Sequence, residues 1–106
     1  IEYYERAIAA DAKYVDAIYM LGLVYIDESN VYVEKINALP RNATQKQYDE
    51  LNNKKDDELK KALTYFERSY AIQPKDSATL EALREVYYKL SRYEDVKRVA
   101  AEIAEL

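Results

Sequence analysis

Carboxylates are the side chains most able to do chemistry in this chain. Asp and Glu number 20 in 106 residues, with no His and no Cys beside them. A catalytic carboxylate needs an environment that shifts its proton affinity, and usually a second titrating group opposite it. Asp56-Asp57-Glu58 is a run of three, but Lys54-Lys55 and Lys60-Lys61 flank it. Interleaved charge of this kind marks a solvated helix face. Without His there is no imidazole acid–base pair, no imidazole metal ligand and no Glu-x-x-His helical di-iron site. Without Cys there is no thiol nucleophile, zinc thiolate or disulfide. One Gly in the whole chain cannot build a phosphate-cradling loop. Asn42-Ala43-Thr44 fits a glycosylation sequon, yet Thr44 is better explained as a helix cap. The expectation is a protein that is not an enzyme and uses no cofactor and no metal.

What remains is binding chemistry. Twelve Tyr residues offer large contact area with a polar tip. The net charge of −4, from 16 basic and 20 acidic residues, disfavours a phosphate-binding surface, so no nucleic acid is expected. No apolar run approaches the roughly 20 residues that span a bilayer, so membrane insertion is not expected. The chain starts at Ile1 without Met and reads as a piece of a longer protein.

The elements that must position these side chains are helical. One Gly and two Pro leave too little turn chemistry for a β-rich domain. Ile1 to about Asp11 reads as a short helix, with Tyr4, Ala7 and Ile8 at helical spacing. A long helix follows from Val15 or Asp16 to about Leu39, carrying Ile18, Leu21, Tyr25, Tyr32 and Ile36 on one stripe. Pro40 stops it. Thr44 and Gln47 form a T-x-x-Q capping box for a second long helix, which runs to about Gln73. Asp76 or Ser77, after Pro74, caps the next segment, whose apolar face is Leu80, Leu83, Tyr87 and Leu90. Ser91-Arg92-Tyr93 is a short corner before a last helix carrying Val96, Val99 and Ile103. Short connections make neighbouring helices antiparallel.

Two of these segments repeat one another. Ile18-x-x-Leu21-Gly22-x-x-Tyr25 returns as Leu80-x-x-Leu83-Arg84-x-x-Tyr87. Ala62-x-x-x-Phe66, followed by Pro74, returns weakly as Val96-x-x-x-Ala100, and Tyr4, Ala7 and Ala12 suit the second half of an earlier unit. These patterns resemble the two helices of tetratricopeptide repeats. The resemblance covers nearly the whole chain. It implies an all-α fold, a right-handed α-solenoid of antiparallel helix pairs, with about five helices, two of them elongated. As a single domain, residues 1–14 would be the second helix of a truncated repeat. Residues 15–76 would be a full repeat and residues 77–106 a C-terminal one.

Tyr25 to Ala62 spans 37 positions, where the matching Tyr87 to Val96 spans 9. Shared between two arms, the excess adds about four turns to each, or roughly 21 Å. The expectation is an extended helical hairpin at about residues 27–61, with Tyr32, Ile36, Leu39, Tyr48 and Leu51 giving its tip a small core.

The resemblance also implies where binding happens, because the first helix of each repeat lines a concave groove. The groove positions are then Asp16, Tyr19, Leu23, Ile26 and Asp27 in one unit, and Ala78, Glu81, Glu85, Tyr88 and Lys89 in the next. Some members of the family clamp a terminal carboxylate with basic groove residues. Here Tyr19, Leu23, Glu81 and Glu85 hold the corresponding positions, and two acids repel a carboxylate. A peptide or protein segment with apolar anchors, and with basic residues to meet these acids, is the expected partner. A structural role stays open beside it, with self-association or docking through the extended hairpin and the open solenoid ends. By analogy with bacterial envelope proteins carrying such repeats, the setting leans to the periplasm, with the cytoplasm as the alternative.

Overall fold

A computed structural model describes Glu5, Arg6 and residues 15–106. The described residues form four helices and no strand: α1 (Val15–Asn37), α2 (Gln45–Ile72), α3 (Ser77–Lys89) and α4 (Tyr93–Ala104). The all-α expectation therefore holds, and the described residues carry four of the about five helices expected. The expected first helix falls outside the described residues apart from Glu5 and Arg6, which are helical.

Local chemistry explains each boundary. α1 ends at Asn37, two residues short of the expected Leu39, because Leu39 precedes Pro40 and is driven from helical geometry. Its amide instead closes a tighter turn onto the Ile36 carbonyl at 3.2 Å. At the start of α2 the capping box is formed in both directions. The Gln47 amide donates to Thr44 Oγ1 at 3.2 Å, and the Thr44 amide donates to Gln47 Oε1 at 2.8 Å. Asp76 caps α3, accepting from the Thr79 amide and hydroxyl. α3 ends in a left-handed residue, Ser91, at φ 60°. The Arg92 amide reaches back to the Tyr87 carbonyl at 2.8 Å and the Ser91 amide to the Tyr88 carbonyl at 3.0 Å. That is the double closure usually made with Gly, here carried by a Ser.

Neighbouring helices are antiparallel, as side-chain pairs show. Tyr19 tilts against Phe66 with ring centroids 5.6 Å apart, and Tyr25 stacks on Tyr65 at 5.7 Å. Moving outward along α1 from Tyr19 to Tyr25 and Ser29 means moving back along α2 from Phe66 to Leu59. Gly22 permits this close approach. A Cβ there would stand 2.5 Å from Cε1 of Phe66.

The core lies at the root of the α1–α2 pair. Ala17, Ile18 and Leu21 of α1 and Leu59, Ala62, Leu63 and Phe66 of α2 are buried. Leu80, Leu83, Val86 and Tyr87 of α3 and Val99 of α4 complete it. Farther out, Tyr32, Ile36, Leu39, Tyr48 and Leu51 are only half-buried. The expected tip core is thus a two-layer contact, with no third helix over it among the described residues. No described helix is long and apolar enough to cross a membrane.

Tyr87 ties three helices together. Its hydroxyl donates to Glu67 of α2 at 3.2 Å and accepts from Arg98 of α4 at 3.5 Å. Burial pushes the phenol up from its ordinary value near 10, the Glu67 charge and hydrogen bond push it further, and Arg98 partly offsets them. Tyr25 is raised chiefly by burial, and Tyr70 chiefly by its hydrogen bond to Glu102. Below about pH 10 these phenols are protonated in folded and unfolded chains alike, and their contribution is fully present. Above it the unfolded chain ionises first, so stability falls as pH rises. Urea midpoints measured from pH 8 upward should drop beyond about pH 10. Tyr87→Phe should flatten that drop while leaving Tyr25 and Tyr70 to sustain the rest.

Candidate functional site

The site expected from the repeat phase lies between α1 and α3, which are not neighbours in sequence. Both pack on α2, and the seam between them opens outward. Repeating every three to four residues, Tyr19, Leu23, Ile26, Asn30 and Val33 make one face of α1, and Ala78, Ala82, Glu85 and Lys89 make the facing edge of α3. Two hollows follow one another along this seam. The larger, about 430 Å³, is lined by Tyr19 and Leu23 on one side and by Ala78, Glu81, Ala82, Arg84 and Glu85 on the other. The smaller, about 140 Å³, is lined by Ser29, Asn30, Val33, Lys55, Leu59 and Lys89. From Tyr19 to Val33 the seam is about 21 Å long at 1.5 Å per residue.

The larger hollow has an apolar floor and an ionic rim. Tyr19, Leu23 and Ile26 are half-buried and rest on the core. They serve both as packing and as floor, so they are less free than their expected role as exposed anchors. Ala78 and Ala82 keep the α3 wall low. On the rim Glu81 is hydrogen-bonded by the Arg84 guanidinium, and Glu85 pairs with Lys89 at 3.1 Å. In the smaller hollow, Lys55 donates to Asn52 at 3.3 Å and sits 3.8 Å from Asp56. Ser29 Oγ is turned inward, donating to the Ile26 carbonyl at 2.6 Å.

The ten expected groove positions are therefore distributed unevenly. Tyr19, Leu23, Glu81 and Glu85 meet around one hollow, together with Ala78, and Lys89 lines the other. Ile26 lies on the same face of α1 between them. Asp16 and Asp27 are exposed on α1 and line neither hollow. Tyr88 does not face Tyr19. It is 63 % exposed and meets Tyr93 edge-on at 5.9 Å, at the α3–α4 corner. Height along α3 explains this, since Tyr88 lies about two turns beyond Glu81 on the same side of the helix, past the end of the larger hollow.

Reading the repeat alone misses Ala82, Arg84, Asn30, Val33, Lys55 and Leu59. Asn30 and Val33 continue the Tyr19–Leu23–Ile26 rhythm and were open to extrapolation. Lys55 and Leu59 come from α2, and no spacing in the chain links them to α3. Among the described residues no group of three or more carboxylates is placed to hold a metal. No family model matches this chain, and no significantly similar curated protein was found.

Proposed function

We propose that this chain is a non-catalytic protein-interaction module whose α1–α3 groove takes a segment of another protein. On this reading its helix pairs α1–α2 and α3–α4 are units of a right-handed, tetratricopeptide-type solenoid. The observation that carries it is the groove itself. An apolar floor of Tyr19 and Leu23 faces two small residues, Ala78 and Ala82, across an open hollow with charge on its rim. Apolar pockets ringed by polar groups are where partner side chains anchor.

Ala78→Trp tests it, because Ala78 is exposed in the first turn of α3 and a large side chain there fills the hollow without entering the core. Peptides selected for binding from a random display library should bind that variant at least about tenfold more weakly, a loss of about 1.4 kcal/mol. Its helicity should stay unchanged. Equal binding by both proteins would refute the groove reading.

A second reading, assembly through the outer part of α1–α2, is favoured by Val31, which is 43 % exposed beside the half-buried tip residues. It expects a concentration-dependent rise in mass by light scattering, which Val31→Lys should abolish.

A further inference from the structure

The seam between α1 and α3 is electrically two-ended. One end, around the larger hollow, presents Glu81 and Glu85 with a single cation, Arg84, beside them, so acid is in excess. The other, around the smaller hollow, presents Lys55 and Lys89 over an apolar base of Val33 and Leu59. From the midpoint of Glu81 and Glu85 to Lys89 is six residues of helix, or about 9 Å. An extended segment covers that distance in about three residues.

We infer that the groove selects a segment carrying charges of both signs, with a basic residue held against Glu81 and Glu85 and a carboxylate held against Lys55 and Lys89. An apolar side chain lies between them on Leu23 and Ile26. This rests on the groove reading above and adds the chemistry of the partner to it.

The charges on the protein are available for such an exchange. Glu81 is engaged by Arg84 three residues on, and Glu85 by Lys89 four residues on. Both pairs are formed along one helix at the surface, where water screens them and little is gained from either. Trading them for a partner's charges costs little. Lys55 is held by Asn52 at 3.3 Å and lies 3.8 Å from Asp56, partners within its own helix as well. The same chemistry rejects a segment of one sign. A purely acidic segment meets Glu81 and Glu85, and a purely basic one meets Lys55 and Lys89, and like charges in apposition are what give a groove its selectivity.

The test uses three synthetic peptides that share a central Leu. One carries Lys two residues before and Asp two residues after that Leu, so that all three side chains share one face of an extended chain, and is made in both orders. The second carries two Lys and the third two Asp. Binding is measured by fluorescence anisotropy at low salt to the wild-type chain, to Lys55→Glu/Lys89→Glu and to Ala78→Trp. The mixed peptide, in its better order, should bind the wild type about fivefold tighter than either single-sign peptide, which is about 1 kcal/mol. Lys55→Glu/Lys89→Glu should invert the ranking in favour of the two-Lys peptide, with circular dichroism confirming intact helices. Ala78→Trp should weaken all three.

A single-sign peptide that equals the mixed one, or a ranking unmoved by Lys55→Glu/Lys89→Glu, overturns the charge-polarity inference and leaves the groove standing if Ala78→Trp still weakens binding. Binding indifferent to Ala78→Trp, or no binding of any peptide, overturns the groove reading and this inference with it.

Discussion

Phe66→Ala should lower the unfolding free energy by about 3–5 kcal/mol, the usual cost of removing a buried phenyl ring. Phe66 is 0 % exposed, lies against Tyr19 and presses on the backbone of α1 at Gly22. A domain of this size has about 5–15 kcal/mol to lose, so the variant should be close to unfolding at ambient temperature. The sharper result comes from combining it with Gly22→Ala. In the wild type the new methyl would stand 2.5 Å from Cε1 and 2.8 Å from both Cδ1 and Cζ of Phe66. Overpacking a closed core costs about 1–3 kcal/mol, against a gain of up to about 1 kcal/mol in helix propensity. Gly22→Ala should therefore destabilise the wild type. In the Phe66→Ala background the obstruction is gone, and the same substitution should stabilise. Urea unfolding of the four proteins should give a coupling of about 1–3 kcal/mol. Additivity within about 0.5 kcal/mol would mean that Gly22 and Phe66 do not meet as described.

Thr79→Val should cost about 1–3 kcal/mol although it hardly changes shape. Ser69 and Thr79 are both fully buried, with their hydroxyls 3.0 Å apart. Thr79 Oγ1 also lies 2.7 Å from Asp76 Oδ2. A carboxylate only accepts, so the Thr79 proton goes to Asp76, and Ser69 must donate to Thr79. Valine removes the donor to the α3 cap and the acceptor for a buried Ser hydroxyl in one step. Ser69→Ala leaves the Thr79–Asp76 bond in place and should cost about 1 kcal/mol or less. The double variant should be more stable than Thr79→Val alone, because it strands no buried hydroxyl. Thermal unfolding of the three variants checks the order, and a double variant weaker than Thr79→Val would contradict this direction of hydrogen bonding.

Both predictions concern contacts that differ in how visible they are from the chain. The Gly22–Phe66 approach was partly legible. A small residue opposite a large one recurs in the L-G-x-x-Y and A-x-x-x-F patterns, and the structure brings the two together. The Ser69–Thr79 pair was not. Ser69 reads as an ordinary polar position within α2, and only the packing of α3 across it removes water from both hydroxyls. Tyr88 shows the converse. Its repeat phase suggested a groove position, but it lies about two turns beyond Glu81, at the α3–α4 corner, where Tyr93 meets it.

The sequence by itself determined the helical class of the described chain and where its helices begin and end. Caps and breakers act within four residues. Thr44 with Gln47, Asp76 with Thr79, Pro40 and Pro74 each do their work inside one turn. It also determined which side of each helix is apolar near the root of the α1–α2 pair, because periodicity is a property of one segment. Only the tertiary structure decided how α1 and α3 face each other, that their seam divides into an acidic and a basic end, and that Lys55 and Leu59 of α2 belong to it. Those relations join residues roughly 20 to 65 positions apart in the chain. They depend on the angle and height at which rigid helices stack on a shared core, which no local spacing encodes.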